Sequence, residues 1–292
     1  MHESIAQYEK YLIYEKRYSL NTASSYLKDI DQLISYLASL GVADPCAVTD
    51  KQLRLWLRHL VSNGTKPRSV NRKISSSKSY YKFLVKKSFL ALSPAVSLQN
   101  LKTSKDLPVF IDEKSMAKLD EFDYGSGFEA IRNKLIIDLF YTSGVRLSEL
   151  VGLERRNVDL NKCQIKVMGK RQKERIIPIL DTVKSSIDQY LEHLPEVALT
   201  HDYLFVTASG DKIYPKLVYL IVRNYLNLAT TAKKKSPHVL RHSFASHLLN
   251  NGADLNVIKE ILGHASLAAT QVYTHNSFEK LKATYKKSHP RE

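Results

Sequence analysis

Apolar residues recur at helical spacing near the start of the chain. Ile5 and Tyr8 fall on one face of a first amphipathic helix. Asn21-Thr22 supplies a capping signal for a second helix, and Gly41 is a typical end signal for it. The pattern therefore predicts two helices within residues 4–40.

Two further helices are predicted downstream of Gly41. Thr49-Asp50 begins the third, and Asn63-Gly64 stops it. Ser69 opens the fourth, which runs to about Val85. Together these patterns predict a small all-helical bundle over residues 1–100.

The composition changes after this bundle. A polar, basic stretch bounded by prolines leads to Pro108, which is typical of a linker between domains. We therefore predict an N-terminal domain over residues 1–100, a linker over 101–110 and a second domain over 111–292.

In the second domain, helical patterns flank one pair of strand patterns. Gln164–Met168 and Arg175–Ile179 surround a polar loop, which predicts a β-hairpin, and Pro178 would be tolerated only on an edge strand. Helices are predicted at about 112–122, 128–142, 182–193, 215–230, 237–250, 254–262, 266–274 and 277–287. The predicted fold is mainly α, in two domains, with a small antiparallel β-sheet in the second.

The charge is strongly positive and unevenly distributed. The 292-residue chain has 44 Lys and Arg against 29 Asp and Glu, a net charge of +15. The block from Lys51 to Lys105 holds thirteen of the basic residues and no acidic one. A solvated face is one interpretation of such a block. Because the block also has helical apolar spacing, we favour a folded surface that binds the phosphate backbone of DNA.

Other classes of protein are disfavoured by the composition. The N-terminus lacks an apolar signal core, and no run of 18 apolar residues could span a bilayer. Cys46 and Cys163 are lone cysteines, far apart, and form no metal-binding or redox pattern. The expected location is therefore the cytoplasm, with no membrane partner.

Candidate catalytic residues lie near the C-terminus. Ser236 is a plausible N-cap and Pro237 fits the first helical position, so His238 and Arg241 stand three apart on the first turn of a helix. His264 follows 26 residues after His238, just past Gly263, and Tyr273 comes nine residues later. Each signal alone is more often structural. In combination, cations that hold a phosphate beside a phenol suit attack on a phosphodiester.

Two more basic residues upstream fit the same chemistry. Gly144 breaks a helix and Ser148-Glu149 begins another, so Arg146 is expected at a helix junction, either at the site or as a surface residue paired with Glu149. Lys170 occupies the tip of the predicted hairpin, 24 residues after Arg146.

These motifs resemble those of the tyrosine recombinase (phage integrase) family, most closely the bacterial Xer recombinases. The resemblance covers essentially the whole chain and implies a SAM-like core-binding bundle followed by an α+β catalytic domain. Its most specific parts are the segments 143–150, 169–179, 236–254 and 262–275. It implies six catalytic residues: Arg146, Lys170, His238, Arg241, His264 and the nucleophile Tyr273.

The resemblance also implies an activity and partners. The expected activity is site-specific recombination through a 3′-phosphotyrosyl intermediate and a Holliday junction, resolving chromosome dimers before cell division. The expected partners are a double-stranded DNA recombination site, protomers of this chain or of a paralogue in a tetramer, and a DNA translocase or accessory activator. The last helix, with Phe278, Leu281 and Tyr285, is expected to dock on a neighbouring protomer instead of on its own domain.

Several alternatives stay open at this stage. An integrase of a mobile element would use the same six residues, and a type IB topoisomerase would share the chemistry. A DNA-binding architectural protein would need no catalysis. A zinc site at His238, His242, His247 and His264 is disfavoured, because no Cys or acidic ligand accompanies these histidines and His242 is expected to face away from His238. No metal or cofactor is expected, since arginines take over the stabilisation of charge.

Overall fold

The structure, a computed structural model, describes residues 3–103, 109–169, 174–263 and 275–291. The chain forms two compact units, Met1–Asp106 and Leu107–Glu292. The predicted linker falls partly on residues 104–108, which lie outside the described residues.

The first unit is helical throughout its regular structure. Its elements are α1 (Glu3–Lys10), a π-helical turn (Tyr11–Glu15), α2 (Leu20–Ser39), α3 (Asp50–Ser62) and α4 (Pro67–Lys86). The predicted start of α3 is confirmed, because Thr49 and Gln52 form a reciprocal capping box. The predicted cap of α2 is wrong. Ser19 caps it by accepting a 3.3 Å hydrogen bond from the backbone of Thr22, so Asn21 already lies inside the helix.

Helix α4 begins two residues before the predicted start, at Pro67. Proline suits the first helical position because its missing N–H has no partner there in any helix. The inner face of α4 then enters an aromatic core in which Tyr8 packs edge-on against Tyr80 and lies 5.4 Å from Phe83, measured between ring centroids. This core holds the helices of the first unit together.

The basic block is only partly a free surface. Asp29 is buried and accepts hydrogen bonds from Arg72 and from Lys73, the latter at 2.9 Å. Glu15 pairs with Lys86 as well, although both of these side chains are exposed. The following basic side chains of the block are exposed: Lys51, Arg58, Lys66, Arg68, Lys78, Lys82 and Lys102. Acidic residues from earlier in the chain therefore neutralise part of the block, and the exposed residues carry the remaining charge.

The second unit combines helices with one small sheet. Its helices are α5 (Glu113–Asp120), α6 (Phe128–Ser143), α7 (Leu147–Val151), α8 (Asp181–Glu192), α9 (Pro215–Ala229), α10 (Pro237–Asn250), α11 (Leu255–Leu262) and α12 (His275–Ser288). These agree with the predicted helices to within a few residues, except that the helix predicted at 266–274 lies outside the described residues.

The sheet contains the predicted hairpin and one strand that was not predicted. Strands β1 (Val158–Asp159), β2 (Gln164–Met168) and β3 (Glu174–Pro178) form an antiparallel sheet in the order β1-β2-β3. Pro178 lies on the edge strand β3, as required. The alternation along β3 places Ile177 on the buried face with Ile165, and Arg175 opposite Val167 on that same face.

Helix α12 packs on its own unit. Leu281 is buried, and Tyr285 is fully buried with its hydroxyl donating to the backbone carbonyl of Thr142 at 2.8 Å. Arg291, just beyond the helix, donates to Asp138 at 2.9 Å. The prediction that this helix docks on a neighbouring protomer is therefore wrong for the arrangement seen here. The side chain of Phe278 lies outside the described residues.

Within the described ranges, no helix is both long enough and apolar enough to cross a bilayer.

Candidate active site

Helix α10 delivers the predicted histidine and arginine pair. Ser236 is its N-cap and Pro237 its first residue, as predicted. His238 is exposed at this end, whereas Arg241 is only 6% exposed. The Arg241 guanidinium donates to two backbone carbonyls, those of Gly144 and, at 2.6 Å, Leu262. It is thereby fixed between the end of α6 and the end of α11.

Arg146 lies at the predicted helix junction. Gly144 ends α6 in the left-handed conformation, at φ 60°, and Arg146 is the N-cap of α7. One terminal nitrogen of Arg146 donates to Glu149 at 2.7 Å, and the other donates to the carbonyl of Gly263 at 3.0 Å. The pairing with Glu149 that was expected of a surface arginine is therefore present. Arg146 also binds Gly263, which follows Leu262, and the carbonyl of Leu262 binds Arg241.

Glu149 and Arg175 belong to the site, although sequence reasoning did not select them. Both carboxylate oxygens of Glu149 accept hydrogen bonds from Arg175, at 2.6 and 2.8 Å. The same carboxylate accepts the backbone N–H of Arg146 at 2.8 Å. The alternation of β3 was a usable signal, because it predicts that Arg175 shares a face with the apolar Ile177.

Three arginines meet the C-terminal end of α11. The carbonyls of Ile261, Leu262 and Gly263 accept hydrogen bonds from Arg175, Arg241 and Arg146, at 2.9, 2.6 and 3.0 Å respectively. A helix C-terminus presents unpaired carbonyls and partial negative charge, which cations stabilise. The cluster therefore orders the residues that lead directly into position 264.

The electrostatics of the cluster follow from burial and from these pairs. Burial, with the positive charges of Arg146 and Arg175 nearby, lowers the pKa of Arg241 to about 9, so it stays protonated at pH 7. Burial alone would raise the pKa of the Glu149 carboxyl. Hydrogen bonds and charge from Arg175 and Arg146 outweigh burial and hold that pKa below its ordinary value. The site thus contains one buried carboxylate, that of Glu149, and the positive charges of three arginines around it.

His238 and His242 face each other, contrary to the sequence prediction. Their Nε2 atoms lie 3.1 Å apart and their ring centroids 4.5 Å apart. The prediction was wrong because residues four apart on a helix share a face. Burial, His242 and Arg241 together lower the pKa of His238.

Of the other two histidines in the disfavoured zinc set, His247 does not join this pair. His247 is buried, with its Nδ1 2.8 Å from the hydroxyl of Tyr141, and His264 lies outside the described residues. Within the described ranges, no group of three His, Cys, Asp or Glu side chains is placed to hold a metal ion.

The structure thus describes Arg146, His238 and Arg241. The other predicted catalytic residues, Lys170, His264 and Tyr273, lie outside the described residues. Their neighbours along the chain border the arginine cluster: Gly263 accepts from Arg146, and Arg175 lies on the strand that follows the hairpin tip.

Comparison with protein families matches both units. Residues 110–280 match the Phage integrase family, and residues 5–88 match the family described as Phage integrase, N-terminal SAM-like domain. The first match alone covers more than half of the chain.

Curated relatives match over nearly the full length. The chain is 36% identical to the tyrosine recombinase XerC of Chlorobaculum parvum, over 93% of this chain and 90% of that protein. It is 34% identical to the tyrosine recombinase XerD of Chlorobaculum tepidum, over 99% of this chain and 97% of that protein.

Solved structures share the fold. The XerH site-specific recombinase bound to palindromic difH substrate matches with a TM-score of 0.71 at 22% identity, over 98% of this chain and 82% of that chain. A lambda integrase dimer bound to a COC′ core site matches with a TM-score of 0.72 at 14% identity, over 94% and 99% of the two chains. The predicted fold class and the predicted site-specific recombinase are confirmed by these matches and those of the relatives. The chain therefore belongs to the phage integrase family and is a tyrosine recombinase.

Proposed function

We propose that this chain resolves chromosome dimers as a Xer-type recombinase and that Tyr273 is its nucleophile. The other proposed catalytic residues are Arg146, Lys170, His238, Arg241 and His264. The supporting observation is the placement of Arg146 and Arg241 together on the carbonyls that precede His264. Residues 111–292 would carry catalysis, residues 1–100 would bind DNA, and residues 101–110 would link them.

The arginine cluster suits a phosphodiester in its transition state. Two guanidinium groups can clamp the non-bridging oxygens with paired hydrogen bonds, which a lysine cannot do. His264 would add a further donor to the same oxygens. Removal of one such donor typically costs about 3 kcal/mol of transition-state stabilisation.

The reaction exchanges one ester for another. The phenolic oxygen of Tyr273 bonds to phosphorus as the bond from phosphorus to the 5′-oxygen breaks, leaving a 3′-phosphotyrosyl link and a free 5′-hydroxyl. His238 would accept the phenolic proton, because a phenol with a pKa near 10 is a poor nucleophile while protonated. Lys170 would give a proton to the departing 5′-oxygen. Attack by the 5′-hydroxyl of the partner strand reverses these steps and completes exchange.

As such a recombinase, the chain would act with DNA, other protomers and an activator in the cytoplasm. The exposed cations of the basic block, such as Lys78 and Lys82, would contact the phosphate backbone, so binding should weaken steeply with added salt. Two recombination sites would be held by four protomers, of this chain alone or with a paralogue, in the cytoplasm. A DNA translocase or accessory activator would trigger exchange.

The test begins with the DNA site, which is obtained by repeated selection of random duplexes that bind the full chain. A selected duplex carrying a nick beside each candidate scissile phosphate then releases the short 5′-hydroxyl fragment, which traps the covalent adduct. We expect wild-type protein to form the adduct, and Tyr273→Phe to bind equally well without forming it. Equal adduct formation by both proteins would exclude Tyr273 as nucleophile.

The alternatives predict other outcomes in the same assay. An architectural protein would bind DNA but form no adduct even in the wild type. A type IB topoisomerase would relax supercoiled plasmid that carries no second site. A recombinase requires two sites for strand exchange. A mobile-element integrase would join two unlike sites, whereas Xer-type resolution joins two copies of one site.

A further inference from the structure

Arg175 is a charged residue on the buried face of the sheet. It lies opposite Val167 on the inner face of the hairpin, and its side chain is only 9% exposed. A buried ion pair is often no more stabilising than apolar residues of the same volume. Stability alone therefore does not account for an arginine at this point of β3.

All three side-chain nitrogens of Arg175 donate within the protein. The two terminal nitrogens bind the two oxygens of Glu149, and Nε donates to the carbonyl of Ile261 at 2.9 Å. Its aliphatic stem also lies close to Gly263, where an added Cβ would be 2.9 Å from the Arg175 Cδ. Arg175 donates through Nε as well as through both terminal nitrogens, whereas the described bonds of Arg146 and Arg241 use their terminal nitrogens alone. Arg175 is therefore placed to hold other residues.

Each of these contacts leads to a proposed catalytic residue. Glu149 is shared with Arg146, through the Arg146 backbone and one terminal nitrogen. Ile261 and Gly263 lie in the segment that enters His264. Arg175 itself is on strand β3, which follows the segment containing Lys170 along the chain.

We propose that Arg175 is a positioning residue for the transesterification, acting through Glu149 on Arg146 and through Ile261 and Gly263 on His264. The inference rests on the proposed function of this site. If Arg175 is removed, Glu149 keeps Arg146 as its remaining described arginine partner. The Arg146 guanidinium is then drawn toward that carboxylate and away from the phosphate oxygens.

Two substitutions separate charge from geometry. Arg175→Gln removes the charge, while Arg175→Lys keeps it but cannot span both oxygens of Glu149 and the carbonyl of Ile261 with a planar fork. Glu174→Gln is the matched control, since Glu174 is the preceding residue, is exposed and pairs with Lys166 at 2.7 Å. Each variant is assayed as the full chain on the nicked duplex, with single-turnover cleavage, DNA affinity and melting temperature measured in parallel.

We expect Arg175→Gln to slow cleavage about 100-fold while DNA affinity is kept, because misplacement of a catalytic group is that costly. Arg175→Lys should be intermediate and Glu174→Gln unchanged. Wild-type cleavage by Arg175→Gln would overturn the proposal. If Arg175→Gln melts below the assay temperature, Arg175→Lys is used for the test instead. Cleavage by Arg175→Lys at the wild-type rate would then overturn the proposal.

A second substrate separates positioning from general loss of structure. A methylphosphonate at the scissile position replaces one non-bridging oxygen by methyl and removes the negative charge that Arg146 would stabilise. The defect of Arg175→Gln relative to wild type should shrink on this substrate, as should that of Arg146→Gln. An equal defect on both substrates would show a purely structural role and overturn the proposal. Failure of wild-type protein to form any adduct would instead refute the proposed function, so the two failures are distinguishable.

Discussion

Tyr285 donates a 2.8 Å hydrogen bond to the backbone carbonyl of Thr142, a residue 143 positions earlier in the chain. Thr142 lies in the last turn of α6, two residues before Gly144, whose carbonyl binds Arg241. Helix α12 therefore holds the C-terminal end of α6 in place, and that end of α6 binds Arg241. Since the Tyr285 ring is fully buried, this attachment is part of the core.

The Tyr285 hydroxyl should contribute measurably to stability. Tyr285→Phe keeps the ring but removes the donor to Thr142, and we expect the free energy of unfolding to fall by about 1 kcal/mol. Tyr285→Ala also leaves a cavity and should cost about 3–5 kcal/mol. Urea unfolding measures both values. Tyr214→Phe is the control, because Tyr214 is 51% exposed and its change should be neutral. Equal stability of Tyr285→Phe and wild type would mean that this bond contributes nothing.

The elements that sequence predicts well are those encoded locally. Thr49 and Gln52 cap α3 within one turn, and Gly144 and Gly263 end their helices in the left-handed conformation that glycine favours. The hairpin follows from alternation over a few residues. The cap at Ser19 was missed because Ser, Asn and Thr are close together there and each can cap a helix.

The site was predicted less completely because its contacts are long-range. Arg146 and Glu149 are three apart, so their pairing was foreseeable from the helix start. Arg175 binds Glu149 across 26 positions and Ile261 across 86, and no local pattern encodes either contact. Likewise, the hydrogen bond from Tyr285 to Thr142 depends on the tertiary packing of α12 against α6.

Gly144 should tolerate no side chain. Its φ is +60°, and an added Cβ would lie 2.6 Å from the ring of Phe244 and 2.8 Å from Leu262. Gly144→Ala should therefore lose about 1–2 kcal/mol to backbone strain and about 1–3 kcal/mol to overpacking. Gly252→Ala is the matched control, with φ +85° but no described heavy atom within 4 Å of the added Cβ.

Urea unfolding and single-turnover cleavage of both alanine variants separate the two effects. Gly144→Ala should lose more stability than Gly252→Ala, and it should also slow cleavage because the carbonyl that holds Arg241 shifts. Equal losses of stability in the two variants would mean that strain alone matters and that the contact with Phe244 is accommodated.

Glu149 should make stability depend on acid pH. Its pKa is lowered from 4.5, so the carboxylate is stabilised in the folded state. That stabilisation is complete above the ordinary pKa and is lost as pH falls through the lowered value. Glu149→Gln leaves Arg175 without its carboxylate and should cost about 3 kcal/mol at neutral pH.

The measurement is the difference in unfolding free energy between wild type and Glu149→Gln as a function of pH. This difference should be constant from neutral pH down to the ordinary range of a glutamate and should shrink below it. Asp159→Asn gives a comparison for an exposed carboxylate, paired with Lys162 on the surface, whose effect should be small. A difference that grows on acidification would contradict the assignment.

His242 should shift the pH range in which the enzyme cleaves DNA. Burial lowers the pKa of His238, and the neighbouring His242 and Arg241 lower it further. If neutral His238 accepts the proton of Tyr273, cleavage falls as pH drops through this lowered pKa. His242→Gln removes one of the causes, so the pKa of His238 rises toward 6.5 and the acid limb of the rate profile moves to higher pH.

Single-turnover cleavage of the nicked duplex across pH measures this limb. His193→Gln serves as the control. His193 is exposed at the C-cap of α8 and its Nδ1 lies 2.8 Å from the backbone carbonyl of Gln189, so the limb should stay in place. The 3.1 Å separation of the two Nε2 atoms adds a second expectation. Since that distance permits only one proton between them, His242→Phe should move the limb in the same direction and also slow the plateau, because His238 loses the partner that orients its ring. A limb that stays fixed in both variants would show that His238 titrates independently of His242, or that another group accepts the proton.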